Sequence, residues 1–227
     1  MARWDTVTPS ETERRSALVH KLLERHGVLT REALASEEVD GGFTALYDVL
    51  RALEDRGRVR RGLFVSGLSA SQFAVPGADE RLRALREPQP ATAARVLAAT
   101  DPANPFGTLL DWPETSPEAQ RPQRAAGALV FLLDGALLAW LARGDQALTT
   151  FFDATDHAKA AALGRALGDL VERGPRRMML VSTIDGIAAA LSPLAAALVA
   201  AGFTPGAQGL LRKRGFVTPR DEARRAR

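Results

Sequence analysis

Residues 42–65 read GFTALYDVLRALEDRGRVRRGLFV, and the rest of the chain is organised around that stretch. Phe43, Leu46, Tyr47, Leu50 and Leu53 recur at spacings of three or four, which puts them on one face of an amphipathic helix. Gly57 follows where a left-handed residue can close that helix. Arg58-Val59-Arg60-Arg61, then Gly62, then Leu63-Phe64-Val65 predict a short basic strand, a turn and an apolar strand. Five arginines fall within this one region, at Arg51, Arg56, Arg58, Arg60 and Arg61. Their planar guanidinium forks suit phosphate oxygens. Cations near a helix C-terminus are favourable even without a ligand, because they face the negative end of the helix dipole. The clustering, rather than the mere presence of arginine, makes these five the candidate nucleic-acid-binding residues.

Upstream, residues 1–9 (MARWDTVTP) read as a linker. Ser10 or Thr12 can cap a first helix, and Glu13 completes a capping box with Ser10. That helix is predicted to run to His26, with Leu18, Val19, Leu22 and Leu23 as its apolar stripe, and Gly27 ends it. Thr30 is a good N-cap for a second helix, but Ala33 stands where the capping-box acid would be, so this helix should be brief. Val39-Asp40-Gly41-Gly42 is the turn into the third helix. Three helices followed by a basic hairpin is the order of a winged helix, with residues 42–65 as recognition helix and wing. Gln72-Phe73-Ala74-Val75 is a candidate third strand of the wing sheet, and 77–87 a charged helix anchored by Leu82 and Leu85. Pro88-Gln89-Pro90 marks the expected domain boundary.

The second half changes character. RVLAAT at 95–100 reads as a strand running into Asp101-Pro102-Ala103-Asn104-Pro105-Phe106-Gly107, a loop rich in turn formers. Apolar runs at 127–133 and 136–141 flank Asp134-Gly135, a strong hairpin signal. A strand at 147–152, a helix at 156–173, a strand at 177–184, a helix from Ser192-Pro193 to Gly202 and a last strand at 203–212 follow. The expected architecture is α+β: a winged-helix domain with trailing helix at 10–87, a small β-barrel-like or strongly curved-sheet domain at 88–219, and a charged tail at 220–227.

Composition narrows the functional classes. The 227 residues are 46% hydrophobic and 6% aromatic, so a core built from Ala, Leu and Val is expected. Net charge is +3 while the pI is about 9.9, because the basic residues are nearly all Arg, with Lys only at 21, 159 and 213. The absence of Cys excludes disulfides and thiolate metal sites and fits a reducing cytoplasm. His20, His26 and His157 have no metal-ligand spacing, so no metal and no other cofactor is expected. No apolar run approaches the ~20 residues of a membrane span. Gly-Lys-Ser/Thr phosphate loops and Asp-Glu-x-His runs are missing, so no ATP turnover is expected.

Several segments together resemble the C-terminal region of bacterial large helicase-related proteins. They are Arg3-Trp4, the run from Arg25 to Arg31, Gly42-Phe43 with Tyr47, Val49 to Glu54, and Gly57 to Gly62. Phe64-Val65, Gly67-Leu68, Gln72-Phe73-Ala74 and the stretch from Leu97 to Gly107 continue it, and Leu132 to Gly135, Arg143-Gly144 and Ala201-Gly202-Phe203 extend it through the second half. The resemblance implies a nucleic-acid-binding accessory module for DNA or an RNA–DNA hybrid, serving a helicase motor in cis or in trans, with the motor itself outside this chain. It also implies an alternative: a glycosylase-like activity on uracil or alkylated bases, for which Gln72, Asp101, Asp111, Asp134 and Asp185 are available. The Ala- and Leu-rich segments at 158–170 and 187–201 are expected to pack against their own sheet, with a homo-oligomer formed through them as the alternative.

Overall fold

A computed structural model describes residues 9–68, 71–86 and 93–215. The expected linker up to Thr8, the end of the helix at Glu87 and the charged tail lie outside the described residues. The chain divides into two compact units, with 108–111 belonging to the first. The class is α+β, and no helix among the described residues is long and apolar enough to cross a membrane.

In the first unit, α1 spans Glu11–His26. The Ser10 side chain accepts a hydrogen bond from the Glu13 N–H, and the Glu13 carboxylate accepts from the Ser10 N–H at 2.7 Å, the reciprocal capping box. Val19, Leu22 and Leu23 are buried, whereas Leu18, expected in the stripe, is exposed beyond its edge. Gly27 closes the helix at φ +69°, and Val28–Leu29 then forms β1, too short for a periodic signal. Thr30 caps the six-residue α2, Arg31–Ser36, through the Ala33 N–H. α3 spans Gly42–Asp55 and buries Phe43, Leu46, Leu50 and Leu53.

A three-stranded antiparallel sheet in the order β1, β3, β2 completes the unit, with β2 at Arg60–Gly62 and β3 at Gln72–Ala74. Leu63-Phe64-Val65, expected as a strand, is not one: β2 stops at Gly62, and its ladder partner is β3. α4, Ala78–Ala84, follows; Leu85, expected as one of its anchors, is exposed. At the C-terminal ends of α1 and α2, Glu37 accepts hydrogen bonds from Arg25 at 2.6 Å and pairs with His26 at 2.8 Å. The Arg25 guanidinium first, and the His26 contact second, hold the Glu37 carboxyl below its usual range.

The second unit holds two sheets. The larger orders β10, β9, β7, β6, β5, β4, antiparallel except for the parallel β7–β9 pair. The smaller orders β11, β12, β8. Here β4 is Arg95–Ala98, β5 Leu129–Leu133, β6 Ala136–Leu141, β7 Ala147–Thr150, β8 Met178–Val181, β9 Thr183–Ile184, β10 Ile187–Ala188, β11 Thr204–Gly206 and β12 Gly209–Lys213. Asp134 (φ 50°) and Gly135 (φ 79°) make the tight turn between β5 and β6, both left-handed as that turn requires. α5, His157–Glu172, is capped by Asp156, and α6 spans Ala195–Ala200.

The α+β class expected for this unit holds, and of its two expected forms, barrel-like or curved sheet, the described residues form no closed barrel. β4 and β10 end the larger sheet without pairing to each other, so both sheets are open. Two expected single strands are also pairs. The run at 177–184 breaks at Ser182, where Ser182 and Thr183 both donate to the Gln146 carbonyl, and β8 and β9 go to different sheets. The run at 203–212 folds into the β11–β12 hairpin, leaving Phe203 buried in the core. α6 starts later than expected, because Ser192 accepts from the Leu194 N–H in a local turn before the helix begins.

Two predictions follow from the first unit. Leu50 is fully buried in the α3 stripe, so Leu50→Ala should destabilise by about 2–5 kcal/mol, read from denaturant melts. A carboxylate lowered on folding contributes stability above its unfolded pKa, and that contribution disappears as pH falls through the folded value. Wild-type stability should therefore fall more steeply than that of Glu37→Gln on acidification below about pH 4, measured by melts across pH.

Candidate nucleic-acid interface

The C-terminus of α3 aims the wing. Gly57 (φ 67°) donates to the Glu54 carbonyl and Arg58 to the Leu53 carbonyl, both at 2.8 Å, the two bonds of a Schellman closure. The chain thereby reverses from helix into β2 with Val59 buried beneath it. Arg51, Arg56, Arg58, Arg60 and Arg61 are all exposed, beside the three carboxylates of the same stretch, Asp48, Glu54 and Asp55.

These five do not share one direction. Arg51 lies on the exposed side of α3 between Asp48 and Asp55, and Arg56 is the C-cap residue. Arg61 turns toward α3: its Nη1 donates to the Tyr47 hydroxyl at 3.3 Å and its Nε lies 3.3 Å from the Glu54 carboxylate. Arg60 turns the other way, to Asp79 of α4, also at 3.3 Å. Arg58 lines a cleft of about 220 Å³ with His20, Glu24 and Val75. The sequence expectation put a turn at Gly62, directly after the basic strand. The alternation along β2 sends Arg60 and Arg61 to different helices, and Gly62 pairs with Gln72 rather than turning the chain.

Aromatic side chains near the cluster are structural. Phe43, Tyr47 and Phe73 form one group with ring centroids 5.9–6.2 Å apart. Arg31, at the start of α2, lies 5.8 Å from the Phe43 ring centroid, a contact that sequence spacing does not announce.

Gln72 lies in the strand the sequence predicts, but its side chain has a role that the sequence does not announce. It is buried, and its side-chain Oε1 accepts from the Phe64 N–H at 2.9 Å and the Val65 N–H at 2.8 Å. Its Nε2 donates to the Val65 carbonyl at 2.8 Å. The amide thus takes over from the backbone ladder where β2 stops. A strand residue with an amide tip, opposite a Gly, was the signal available.

In the second unit, the loop at 101–107 is held from inside. Asn104, buried, donates to the Ala99 carbonyl at 2.9 Å, and Arg124 donates to the Asn104 carbonyl at 2.7 Å and the Asp101 carbonyl at 3.2 Å. Phe106 stacks on Trp112. Asp101 accepts from the Ala103 N–H, and Asp185 accepts from the Thr150 N–H and hydroxyl at 2.7 and 2.6 Å. Asp134 sits in the β5–β6 turn and Asp111 is exposed. Arg214 donates to the Val171 carbonyl near the end of α5, and Arg212 lies 3.5 Å from Glu172. No group of three or more His, Asp or Glu suited to a metal occurs among the described residues.

A helix trio, its first two members N-capped by side chains, a three-stranded sheet and a loop between β2 and β3 define the first unit as a winged-helix domain. Residues 8–94 match the family model for the winged-helix domain of the large helicase-related protein. The chain is 47% identical over 193 residues to the "Lhr helicase/ probable uracil glycosylase" of Mycolicibacterium smegmatis, 82% of this chain and 13% of that protein. It is 36% identical over 216 residues to the "Lhr helicase/uracil glycosylase" of Escherichia coli, 92% of this chain and 14% of that protein. The chain belongs to the large helicase-related family and corresponds to a C-terminal region of its members. It spans about one seventh of the length of these curated relatives.

The Gln72 geometry carries its own prediction. Gln72→Leu removes the partner of two N–H groups and one carbonyl in a half-buried loop. It should cost about 1–3 kcal/mol in denaturant melts and raise amide hydrogen exchange at Phe64 and Val65.

Proposed function

We propose that the chain is a nucleic-acid-binding module of a large helicase-related protein, gripping phosphates of DNA or an RNA–DNA hybrid through α3 and the wing. The observation that carries this reading is the set of five exposed arginines around the α3–β2 closure of a winged-helix domain. The existing ion pairs do not stand against it. Arg60 is 67% exposed in its pair with Asp79, and Arg61 is exposed beside Glu54. Exposed pairs of this kind contribute about 0–1 kcal/mol, so a guanidinium can leave its carboxylate for a phosphate at small cost. Phosphate contacts release condensed counterions, so the affinity is expected to be sequence-independent and salt-sensitive. Its natural partner is a helicase motor, in cis or in trans.

A second reading rests on the names of the two relatives, both of which include uracil glycosylase. It is tested by incubating the chain with uracil-containing DNA and then cleaving abasic sites. Strand scission above a buffer control supports excision by this region, and scission at the control level removes it.

The phosphate-grip reading predicts the behaviour of Arg58→Ala/Arg60→Ala/Arg61→Ala. If each guanidinium neutralises one phosphate, the slope of log affinity against log salt falls by about 2.7 for duplex and about 2.1 for single strands. The loss should be nearly equal for unrelated sequences, because phosphates carry no base code. Fluorescence anisotropy across a salt series measures it, with circular dichroism to establish that the fold is kept. An unchanged slope places the contacts elsewhere.

A further inference from the structure

The wing presents one apolar side chain at a fixed position. Leu63 is 76% exposed, directly after β2. Its two neighbours are both held. Gly62 pairs with Gln72 in the β2–β3 ladder, and the backbone N–H of Phe64 is bonded to the Gln72 side chain. The Phe64 ring folds back over Gly62, where an added Cβ would lie 3.3 Å from it. Leu63 therefore stands between two fixed residues and contributes nothing to the core beneath. A flexible loop carrying a leucine would let it collapse onto nearby apolar surface, and this loop is tied down by a buried amide that prevents it. The position also has a charge context, since Arg60 and Arg61 precede it on opposite sides of β2.

We propose that Leu63 is a wedge that the wing drives between adjacent base pairs of a bound duplex, partly unstacking them. The inference rests on the reading that the wing engages nucleic acid. The chemistry is that of apolar side chains inserted at a base step, where unstacking costs a few kcal/mol per step and is offset by contacts that the deformed duplex then permits. Arg60 and Arg61 supply the attraction to the two backbones flanking the step, and Leu63 fills the opened gap. Because the cost of unstacking is lowest where pairing is already weakened, the wedge gives a phosphate-gripping module a preference that phosphates alone cannot give: mismatched or otherwise weakened steps over regular duplex.

The test uses the whole chain with two otherwise identical duplexes, one matched and one carrying a central mismatch flanked by 2-aminopurine. Wild type should bind the mismatched duplex about 5- to 10-fold tighter and raise the 2-aminopurine fluorescence on binding, as expected when a few kcal/mol of unstacking is partly relieved. Leu63→Ala should bring the affinity ratio to about 1 and abolish the fluorescence rise, while its salt slope stays at the wild-type value because no charge is removed. Leu63→Met should retain both signals. A Leu63→Ala variant that keeps the preference and the fluorescence rise overturns the wedge. So does wild type that binds matched and mismatched duplex equally with no fluorescence change, and in both cases the phosphate-grip reading survives. Absence of any binding by wild type at low salt instead removes that reading, and the wedge falls with it.

Discussion

Phe73 is where the first unit is tied together. It lies in β3, the central strand, paired with Leu29 on one side and Arg61 on the other. Its ring meets Phe43 at 6.2 Å and Tyr47 at 6.1 Å, both from α3. One fully buried side chain therefore joins three strands to the helix whose exposed side carries Arg51. Aromatic pairs at such distances add about 0.5–1.5 kcal/mol beyond area burial, so the setting of α3 against the wing is resisted at a single point. Immediately beside it, Gln72 uses its side chain to hold the wing loop. Core and wing are thus specified by consecutive residues of one three-residue strand, Gln72–Ala74.

That arrangement sets where the arginines point. With α3 and β2 fixed by Phe73 and the Schellman closure, Arg60 and Arg61 diverge because strand side chains alternate, each reaching a different helix. The cluster is then a rim around the α3–β2 junction rather than a flat patch. A rim suits a backbone that curves past the protein, since successive phosphates of a duplex strand also change direction. The three carboxylates Asp48, Glu54 and Asp55 lie within it. They lower the local field, so affinity on the proposed reading comes from a few directed contacts rather than from a strong general attraction.

What could be read from the sequence was what depends on neighbours along the chain. The Ser10–Glu13 capping box, the Thr30 cap with its brief helix, the α3 stripe, the Gly57 closure and the Asp134-Gly135 turn all depend on side chains a few residues apart. What could not be read depends on distant partners. Leu63-Phe64-Val65 has strand composition, but its backbone groups find the Gln72 amide instead of a second strand. The run at 177–184 reads as one strand until the Gln146 carbonyl takes two successive N–H groups and splits it. Barrel closure is a statement about whether two edge strands meet, and nothing local in β4 or β10 encodes that. The candidate site follows the same rule. Arginine clustering was visible, but the direction of each guanidinium was not, because Asp79 and Tyr47 are brought to Arg60 and Arg61 only by the fold.

The size of the match to the relatives bears on how such a module could act. The region matched is 13% and 14% of those two proteins, so in them it is covalently joined to a much longer chain. Sequence-independent binding through a handful of phosphates gives dissociation constants of about 10⁻⁴–10⁻⁶ M at physiological salt, too weak to hold a free domain on nucleic acid for long. Joining it to a second binding element changes this, because the tethered partner experiences an effective concentration on the order of millimolar. At that concentration even the weakest of those affinities gives nearly full occupancy, and the salt sensitivity that would dislodge the free module is largely buffered. A weak grip then has a use that a tight one lacks. On the proposed reading it can release and re-form, while a wedge of the kind assigned to Leu63 would bias where the grip next forms. The modest local charge and the exposed, easily exchanged ion pairs of Arg60 and Arg61 are the features such a releasing grip calls for.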